Sequence, residues 1–181
     1  GDGIEVMIYT RSYQDLFARI CNFFDRIGYS IGEAKIFTTK HNYALNNFIV
    51  LDESTTEISY TGLLKHIEEN LCDKIIKTAD VEEPIKGRVE RQVKHMPITT
   101  KVMFDALPDG SHQMLDIIAC DQPGLLANIA FILIKYNVKV HNAKINTLGN
   151  RAEDTFLISD HNDQALTSDK MQELKEALLA L

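Results

Sequence analysis

The strongest constraint on the fold is that the sequence repeats itself. Residues 16–20 (LFARI) align with residues 125–129 (LLANI) at a spacing of 109 residues. The same spacing aligns residues 33–36 (EAKI) with residues 142–145 (NAKI). A long internal repeat indicates that one structural unit is used more than once. We therefore predict two homologous units of similar architecture.

Within each copy the apolar residues follow a helical period. They recur at intervals of three and four residues, which places them on one face of an amphipathic helix. These positions are Leu16, Phe17, Ile20, Phe23, Phe24 and Ile27 in the first copy, and Leu125, Leu126, Ile129, Ile132, Leu133 and Tyr136 in the second. The spacing shortens to 108 residues between Phe48 and Phe156, so the copies differ by one residue in an intervening turn.

Each copy predicts the same succession of strand, helix, strand, strand and helix. The predicted elements are residues 4–10, 14–27, 29–38, 43–51 and a helix with Leu63, Leu64, Ile67 and Leu71, then residues 113–120, 123–136, 138–147, 152–159 and 168–179. This succession favours a two-layer α+β fold, in which antiparallel sheets carry helices on one face. Because open sheet edges need cover, we expect the two units, or two chains, to pair side by side.

The middle strand of each copy changes its inward-facing parity halfway along. The inward positions are Tyr29, Ile31, Ala34, Ile36 and Thr38 in the first copy, and Val138, Val140, Ala143, Ile145 and Thr147 in the second. Because side chains alternate strictly along a strand, a skipped residue requires a β-bulge. We predict bulges at Gly32-Glu33 and at His141-Asn142, either as simple kinks or as devices that re-aim side chains beside a site.

The region between the copies is charged and lacks periodicity. Residues 73–98 therefore read as a linker, with a first unit at residues 1–72 and a second at residues 99–181. Its basic residues are interrupted by acidic ones, which favours a solvated connection over a basic patch. The residues concerned are Lys86, Arg88, Arg91 and Lys94 among Glu82, Glu83 and Glu90.

An extra hairpin opens the second unit. Residues 99–106 read as a strand and Pro108-Asp109-Gly110 as a turn. Tight turns are also expected at His41-Asn42 and Gly149-Asn150, where asparagine and glycine tolerate turn geometry. The last helix has its cap candidates at Ser168 and Asp169.

Composition excludes several classes of protein. Hydrophobic residues make up 45% of the chain, which is enough for a packed core. The net charge of -7 argues against a nucleic-acid platform.

The sequence contains no C-x-x-C motif, since its three cysteines are Cys21, Cys72 and Cys120. We therefore expect no zinc site, a reducing cytoplasmic setting and buried thiols. We see no signal peptide or apolar run for a membrane, and since the chain begins at Gly1 we expect a piece of a longer protein.

Residues 121–126 (DQPGLL) follow a predicted strand and open a predicted helix. Pro123 suits a first helical turn, and Asp121 is placed to cap the free N–H groups that follow. These N–H groups, at the positive end of the helix dipole, also suit a carboxylate or phosphate. The motif therefore indicates either a small-anion site or simply a well-capped helix start.

Further stretches make the motif more specific. Residues 140–145 (VHNAKI), Gly149-Asn150 and residues 154–156 (DTF) accompany the DQPGLL motif. Together they resemble the C-terminal pair of ACT domains in bifunctional uridylyltransferase/uridylyl-removing enzymes, which modify the PII nitrogen-signalling protein. ACT domains are small modules that bind amino acids and regulate enzymes. The resemblance covers residues 5–178.

The resemblance implies two ferredoxin-like βαββαβ ACT units, the second permuted so that residues 101–106 take the place of its fourth strand. It implies an allosteric module that senses glutamine and controls uridylylation and deuridylylation of PII by an attached catalytic region of the same chain. No cofactor is expected here. The nucleotidyltransferase and uridylyl-removing hydrolase chemistry would lie in the parent protein.

The ligand-binding residues that we predict lie in the turn motif and at the second bulge. They are Asp121, Gln122, Pro123, Gly124, Leu125, Leu126, His141, Asn142 and Ala143. Backbone N–H groups can hold the carboxylate of an amino acid, and Gly124 permits close approach. Asp121 or Asn142 can accept from its ammonium group.

The two copies differ at this motif. Residues 12–15 (SYQD) of the first copy occupy the positions of residues 121–124 (DQPG) in the second. Asp15 stands where Gly124 would be and would repel a ligand carboxylate. We expect the second unit to carry the primary site, while the first pairs with it or serves a weaker site.

No catalytic motif is visible. The serines lie outside any nucleophile elbow, and neither a Walker loop nor a G-x-G-x-x-G run occurs. His161-Asn162-Asp163 reads as a solvated loop rather than a metal-ligand set, and His95 and His112 as surface residues. We predict that this chain is not itself an enzyme.

Two alternatives to the sensor differ in class. The first is a structural ACT pairing or dimerisation module that binds no ligand. The second is an RNA-binding module on a similar sheet, which needs exposed aromatic residues and a basic face. The acidic composition disfavours RNA binding.

Overall fold

A computed structural model describes residues 3–52, 60–77, 84 and 98–181. Within these ranges the chain forms eight strands and four helices. In chain order they are β1 (Ile4–Arg11), α1 (Leu16–Arg26), β2 (Tyr29–Thr38), β3 (Tyr43–Asp52), α2 (Tyr60–Lys77), β4 (Lys101–Ala106), β5 (Gln113–Cys120), α3 (Leu125–Lys135), β6 (Lys139–Lys144), β7 (Thr147–Leu148), β8 (Arg151–Ser159) and α4 (Ser168–Leu179).

These strands form one sheet in which every pairing is antiparallel. Its order is β1-β3-β2-β6-β8-β5-β4, and β7 pairs with β8 beside this path. The two copies of the repeat meet where β2 lies beside β6, with Lys35 opposite Lys144. The predicted antiparallel α+β architecture is confirmed, and the two copies are joined edge to edge in a continuous sheet.

The helices form a layer on the sheet. Helix α1 contacts α2 and α3, and α3 contacts α4. Several large apolar side chains of the strands are instead exposed, and they alternate with buried or half-buried neighbours. These exposed residues are Met7, Tyr9, Phe37 and Met103. Because alternate side chains point to opposite faces, the described helices all cover the same face of the sheet, and these exposed side chains lie on the other.

Both copies share one hydrophobic core. Phe48 and Phe156, which are equivalent in the repeat, are fully buried on β3 and β8. The ring of Phe17 stacks 6.5 Å from Phe48 and meets Phe156 edge-on at 6.1 Å. A side chain of α1 therefore packs against the sheet of both copies, and this shared burial holds the two halves together.

The predicted bulges are confirmed. In the pairing of β2 with β3, Ile31 lies opposite Val50 and Glu33 opposite Ile49, so Gly32 is the extra residue. In the pairing of β6 with β8, the register skips His141 between Val140 and Asn142. Buried and half-buried residues on either side of each bulge therefore keep facing the helices.

The helix starts differ from the predictions. Helix α3 begins at Leu125 with Gly124 as its N-cap, so neither Asp121 nor Pro123 occupies the place expected of it. The chain turns first, with Leu125 N–H donating to the carbonyl of Gln122 (3.0 Å). Helix α4 is capped by Thr167, whose hydroxyl accepts from the N–H of Lys170 at 3.4 Å, and not by Ser168 or Asp169.

Some single-residue expectations were also wrong. Cys21 is buried and Cys120 half-buried, but Cys72 is exposed, because it follows Leu71 on α2 and points away from the core. His112 is half-buried rather than on the surface, and its ring lies edge-on to that of His141, with centroids 4.5 Å apart.

The predicted linker is only partly described. Helix α2 continues to Lys77, past the unit boundary predicted at residue 72. Residues 78–83 and 85–97 lie outside the described residues, and with them the basic residues of the linker and His95.

The predicted hairpin is present at one edge of the sheet. Strand β4 pairs with β5, and Gly110 turns the chain between them at a φ of 69°. Helix α4 contacts β4, where Val102 is buried. None of the helices in the described part of the chain is long and apolar enough to span a membrane.

Gln113→Ala is expected to destabilise the protein by about 2–4 kcal/mol, because two buried backbone groups would lose their partners. The buried amide of Gln113 accepts from Leu166 N–H (2.8 Å) and donates to Leu166 C=O (3.0 Å). Urea unfolding measures the change. Gln172→Ala, on the exposed face of α4, serves as control with an effect below about 0.5 kcal/mol. Equal effects of the two substitutions would contradict this role of Gln113.

Candidate functional site

The predicted turn motif lines a small cavity of about 140 Å³ between the two halves of the molecule. The second half contributes residues 121–127 and four side chains behind them, Ile145, Thr147, Ala152 and Asp154. The first half contributes the facing wall from α1 and the start of β2, namely Cys21, Asp25, Gly28, Tyr29, Ser30 and Ile31. The site is therefore composite, and the sequence motif supplies only one side of it.

Local backbone geometry brings the loop to this place. Asp121 N–H donates to the carbonyl of Asn150 (2.9 Å), which ties the end of β5 to the turn before β8. Gly124 has a φ of 79°, a left-handed conformation that glycine adopts without the steric cost of a side chain. The loop can then turn sharply, and α3 starts at the cavity wall.

The start of α3 offers backbone donors. The N–H of Asn128 makes a helical bond to the carbonyl of Gly124 (2.9 Å), whereas Leu126 and Ala127 precede the first such bond. Both of these residues line the cavity. N–H groups at the positive end of a helix dipole favour a carboxylate or another small anion.

The charged side chains around the cavity are acidic, whereas the backbone N–H groups at the start of α3 are electropositive. Its charged lining residues are Asp25, Asp121 and Asp154, and the lining includes no lysine, arginine or histidine. A helix start that favours a negative group thus faces carboxylates that favour a positive one. This arrangement suits a molecule that carries both charges, as an amino acid does.

Asp154 is the most unusual of the three carboxylates. It is only 3% exposed on β8, and its Oδ1 atom accepts no hydrogen bond from the described residues. Burial raises the pKa of Asp154 to about 7; the backbone N–H of Asn146 opposes this shift, and the nearby Asp121 adds to it. A buried carboxyl with one unsatisfied oxygen is costly to ionise.

Sequence reasoning did not place Asp154 among the ligand-binding residues. The available signal was its inward-facing position between apolar residues of an alternating strand, Ala152 and Phe156, where a polar residue needs a partner. The equivalent residue of the first copy is Asn46, which is 1% exposed and has an Nδ2 without a partner among the described residues. Both copies thus keep a polar group at this core position.

Cys21 lies in the same wall. Burial raises the pKa of the Cys21 thiol well above its ordinary value, and the charges of Asp154 and Asp25 raise it further. The thiolate is the reactive form of cysteine, so this thiol is unsuited to act as a nucleophile at neutral pH.

The other predicted site residues lie elsewhere. Asn142 and Ala143 line a different hollow, together with Lys35 and Phe37. His141 Nε2 lies 2.7 Å from Ser159 Oγ and 3.6 Å from Asp163 Oδ1. The structure therefore brings together residues 121–126 and separates them from residues 141–143.

The cluster around His141 has the residue types of a hydrolase triad but not its exposure. Ser159 is fully buried, and its hydroxyl donates to the carbonyl of Asp160 (2.9 Å). Burial lowers the pKa of His141, as do His112 and Lys139, whereas Asp163 opposes the shift. A nucleophile must be reachable by substrate, and this hydroxyl is not.

In the first copy, the charge of Asp15, which stands at the position of Gly124, is offset by an ion pair. Asp15 stands at the N-cap of α1, and its carboxylate pairs with the guanidinium of Arg19 at 2.7 Å. The repulsion that we predict between Asp15 and a ligand carboxylate is reduced by this ion pair.

The size of the cavity limits its ligand. Cavities of about 150 Å³ hold a molecule such as benzene, whereas drug-sized ligands need about 300–1,000 Å³. At about 140 Å³, the cavity is of a size that suits a small metabolite. Among the described residues, no group of three or more His, Cys, Asp or Glu is arranged to hold a metal ion.

No family model matches the chain. It is similar, however, to curated proteins named bifunctional uridylyltransferase/uridylyl-removing enzyme. The relative from Nitrosospira multiformis is 45% identical over 159 residues, which cover 88% of this chain and 18% of the relative. Relatives from Aromatoleum aromaticum (45% identity, 87% of this chain) and Burkholderia orbicola (42%, 88%) are also matched over 18% of their length.

The chain is homologous to one region of these enzymes. Because it spans less than a fifth of their length, the similarity concerns that region and not the whole enzyme. The relatives as whole proteins are enzymes, as their names state.

Proposed function

We propose that this chain is a tandem ACT regulatory module that binds glutamine in the cavity between its two copies. It belongs, in this proposal, to an enzyme that uridylylates the PII protein and removes the uridylyl group. The observation that carries the proposal is the cavity itself, since the turn motif that resembles ACT domains forms one wall of it. The homology to one region of uridylyltransferase/uridylyl-removing enzymes supplies the enzyme that such a module would control.

The proposed binding mode follows the polarity of the cavity. The ligand carboxylate accepts from the N–H groups of Leu126 and Ala127 at the start of α3. Its side chain lies toward the wall from the first copy, where Ser30 lines the cavity beside Tyr29. The second copy thus holds the charged end of the amino acid, and the first copy selects among side chains.

A composite site also explains how binding can regulate an enzyme. A ligand shifts an equilibrium only if it binds one arrangement of the protein better than another. Because the cavity walls come from both copies, a bound amino acid favours the arrangement in which the two copies are held together. The coupling between this site and the catalytic region is then a free energy shared by both.

Glutamine binding is the first prediction of the proposal, tested by calorimetry on the purified chain. L-Glutamine should give saturable heat, with glutamate, serine and valine as comparison ligands. Gly124→Asp should weaken binding at least about tenfold, because a carboxylate beside the helix start repels that of the ligand.

Gly110→Asp is the matched control for Gly124→Asp. Gly110 also has a left-handed φ, of 69°, but it lies in the β4–β5 hairpin outside the cavity. The backbone strain of the two substitutions is therefore comparable, and only the first should change glutamine binding. Unchanged affinity in Gly124→Asp would contradict the site assignment.

A structural pairing module is the second candidate function. It is favoured by the continuous sheet and the shared core around Phe17, which join the two copies without any ligand. No heat from any amino acid would support this candidate against the sensor.

A further inference from the structure

The carboxyl of Asp154 is an acidic side chain that the fold buries without satisfying both of its oxygens. It is 3% exposed, it lines the cavity, and its Oδ1 accepts no hydrogen bond from the described residues. An ionised carboxylate in such surroundings needs a cation or several donors to offset its lost hydration. A carboxyl that lines the cavity in such surroundings favours a ligand group that is positively charged or donates hydrogen bonds.

Among the described residues that line the cavity, none supplies that cation. The titratable groups that line the cavity with Asp154 are Asp121 from the loop, Cys21 and Asp25 from α1, and Tyr29 from β2. None of these side chains is basic. Within the described lining, a positive charge for Asp154 can therefore be supplied by a proton or by a bound ligand.

We propose that Asp154 receives the ammonium group of an amino acid bound in this cavity, so that only ligands with a free α-amino group bind well. This inference rests on the proposed function. It adds Asp154 to the binding residues and requires the ligand to carry a free α-amino group. Asp154 lies on β8, behind the loop whose N–H groups receive the carboxylate. The two charged groups of the ligand are thereby recognised by two separate elements.

Proton release follows from this pairing. In the empty protein the raised pKa of Asp154, about 7, means that the carboxyl carries a proton in about half of the molecules at neutral pH. The ammonium group replaces that proton, so binding releases it. The affinity should consequently rise about tenfold between pH 6 and pH 8.

The test uses L-glutamine as the probe, titrated at pH 6, 7 and 8. At pH 7, calorimetry in buffers of different ionisation enthalpy should show the release of about half a proton per ligand. Glutaramate, which is glutamine without its amino group, should bind at least about tenfold more weakly. These measurements use the unmodified protein, so they do not depend on the folding of a variant.

Asp154→Asn provides the direct comparison. At pH 8 it should weaken glutamine binding about ten- to a hundredfold, and it should remove the proton release. Asp116→Asn is the matched control, since Asp116 lies on the adjacent strand β5, accepts from Thr155 Oγ1 (2.6 Å) and does not line the cavity. It should bind glutamine as the unmodified protein does.

Two outcomes separate this inference from the proposed function. If glutamine binds without proton release, and equally well to Asp154→Asn, the role of Asp154 is wrong while the sensor stands. If glutamine gives no heat with the unmodified protein at any pH, the glutamine sensor fails and this inference fails with it.

Discussion

Phe156→Ala is expected to destabilise the protein by about 3–5 kcal/mol, the range for removal of a large aromatic side chain from a core. Phe156 is fully buried on β8, and its ring meets Phe17 of the other copy at 6.1 Å. Truncation therefore leaves a void at the junction of the two halves, where the sheet and α1 cannot easily close it. Urea unfolding followed by circular dichroism measures the change.

Because the two halves share one core, we expect them to unfold together. Phe156→Ala should lower the stability of both halves in a single transition, since Phe17 contacts Phe48 as well. A double-mutant cycle between Phe17 and Phe156 should give a coupling of about 0.5–1.5 kcal/mol. Phe37→Ala is the control, because Phe37 is 53% exposed and should change stability by less than about 1 kcal/mol. Two separate transitions in Phe156→Ala would contradict a shared core.

The free protein should lose stability as the pH rises through neutrality, because of Asp154. Burial raises the pKa of this carboxyl from 3.8 to about 7 in the folded state. Between these values the folded protein keeps a proton that the unfolded chain releases. The contribution of Asp154 to stability is therefore complete below about pH 4 and lost by about pH 8, a change of up to about 4 kcal/mol.

Asp154→Asn isolates this effect from that of the other carboxylates. The free energy of unfolding, measured by urea from pH 4 to pH 8 without ligand, should fall with pH in the unmodified protein relative to the variant. Asp116→Asn makes the same chemical change outside the cavity and should follow the unmodified protein. Parallel curves for the unmodified protein and Asp154→Asn would show that the carboxyl of Asp154 titrates normally in the folded state.

Elements defined by local periodicity could be predicted well. The apolar spacing along residues 16–27 and 125–136 located both first helices, and the parity change of the middle strands located both bulges. These features depend on which side chains face the core, and that pattern is written along the chain itself. The repeat also predicted that the two halves would share an architecture.

Local rules failed where several backbone conformations compete. Pro123 and Asp121 fit a helix start at residue 123, but the left-handed Gly124 delays it to Leu125. Thr167 likewise caps α4 in place of Ser168 or Asp169. In both cases the choice depends on how the preceding loop leaves its strand, which is fixed by contacts with other segments.

The candidate site likewise has features that follow from local sequence patterns and features that depend on contacts between distant segments. The two-copy α+β design and the turn motif at residues 121–126 could be read from the chain, because both are local patterns. The facing wall formed by Tyr29 and Ser30 of the other copy, and the burial of Asp154 beside it, are visible only in the folded protein. Burial and cavity polarity arise from segments more than 90 residues apart in the chain, so no local pattern predicts them.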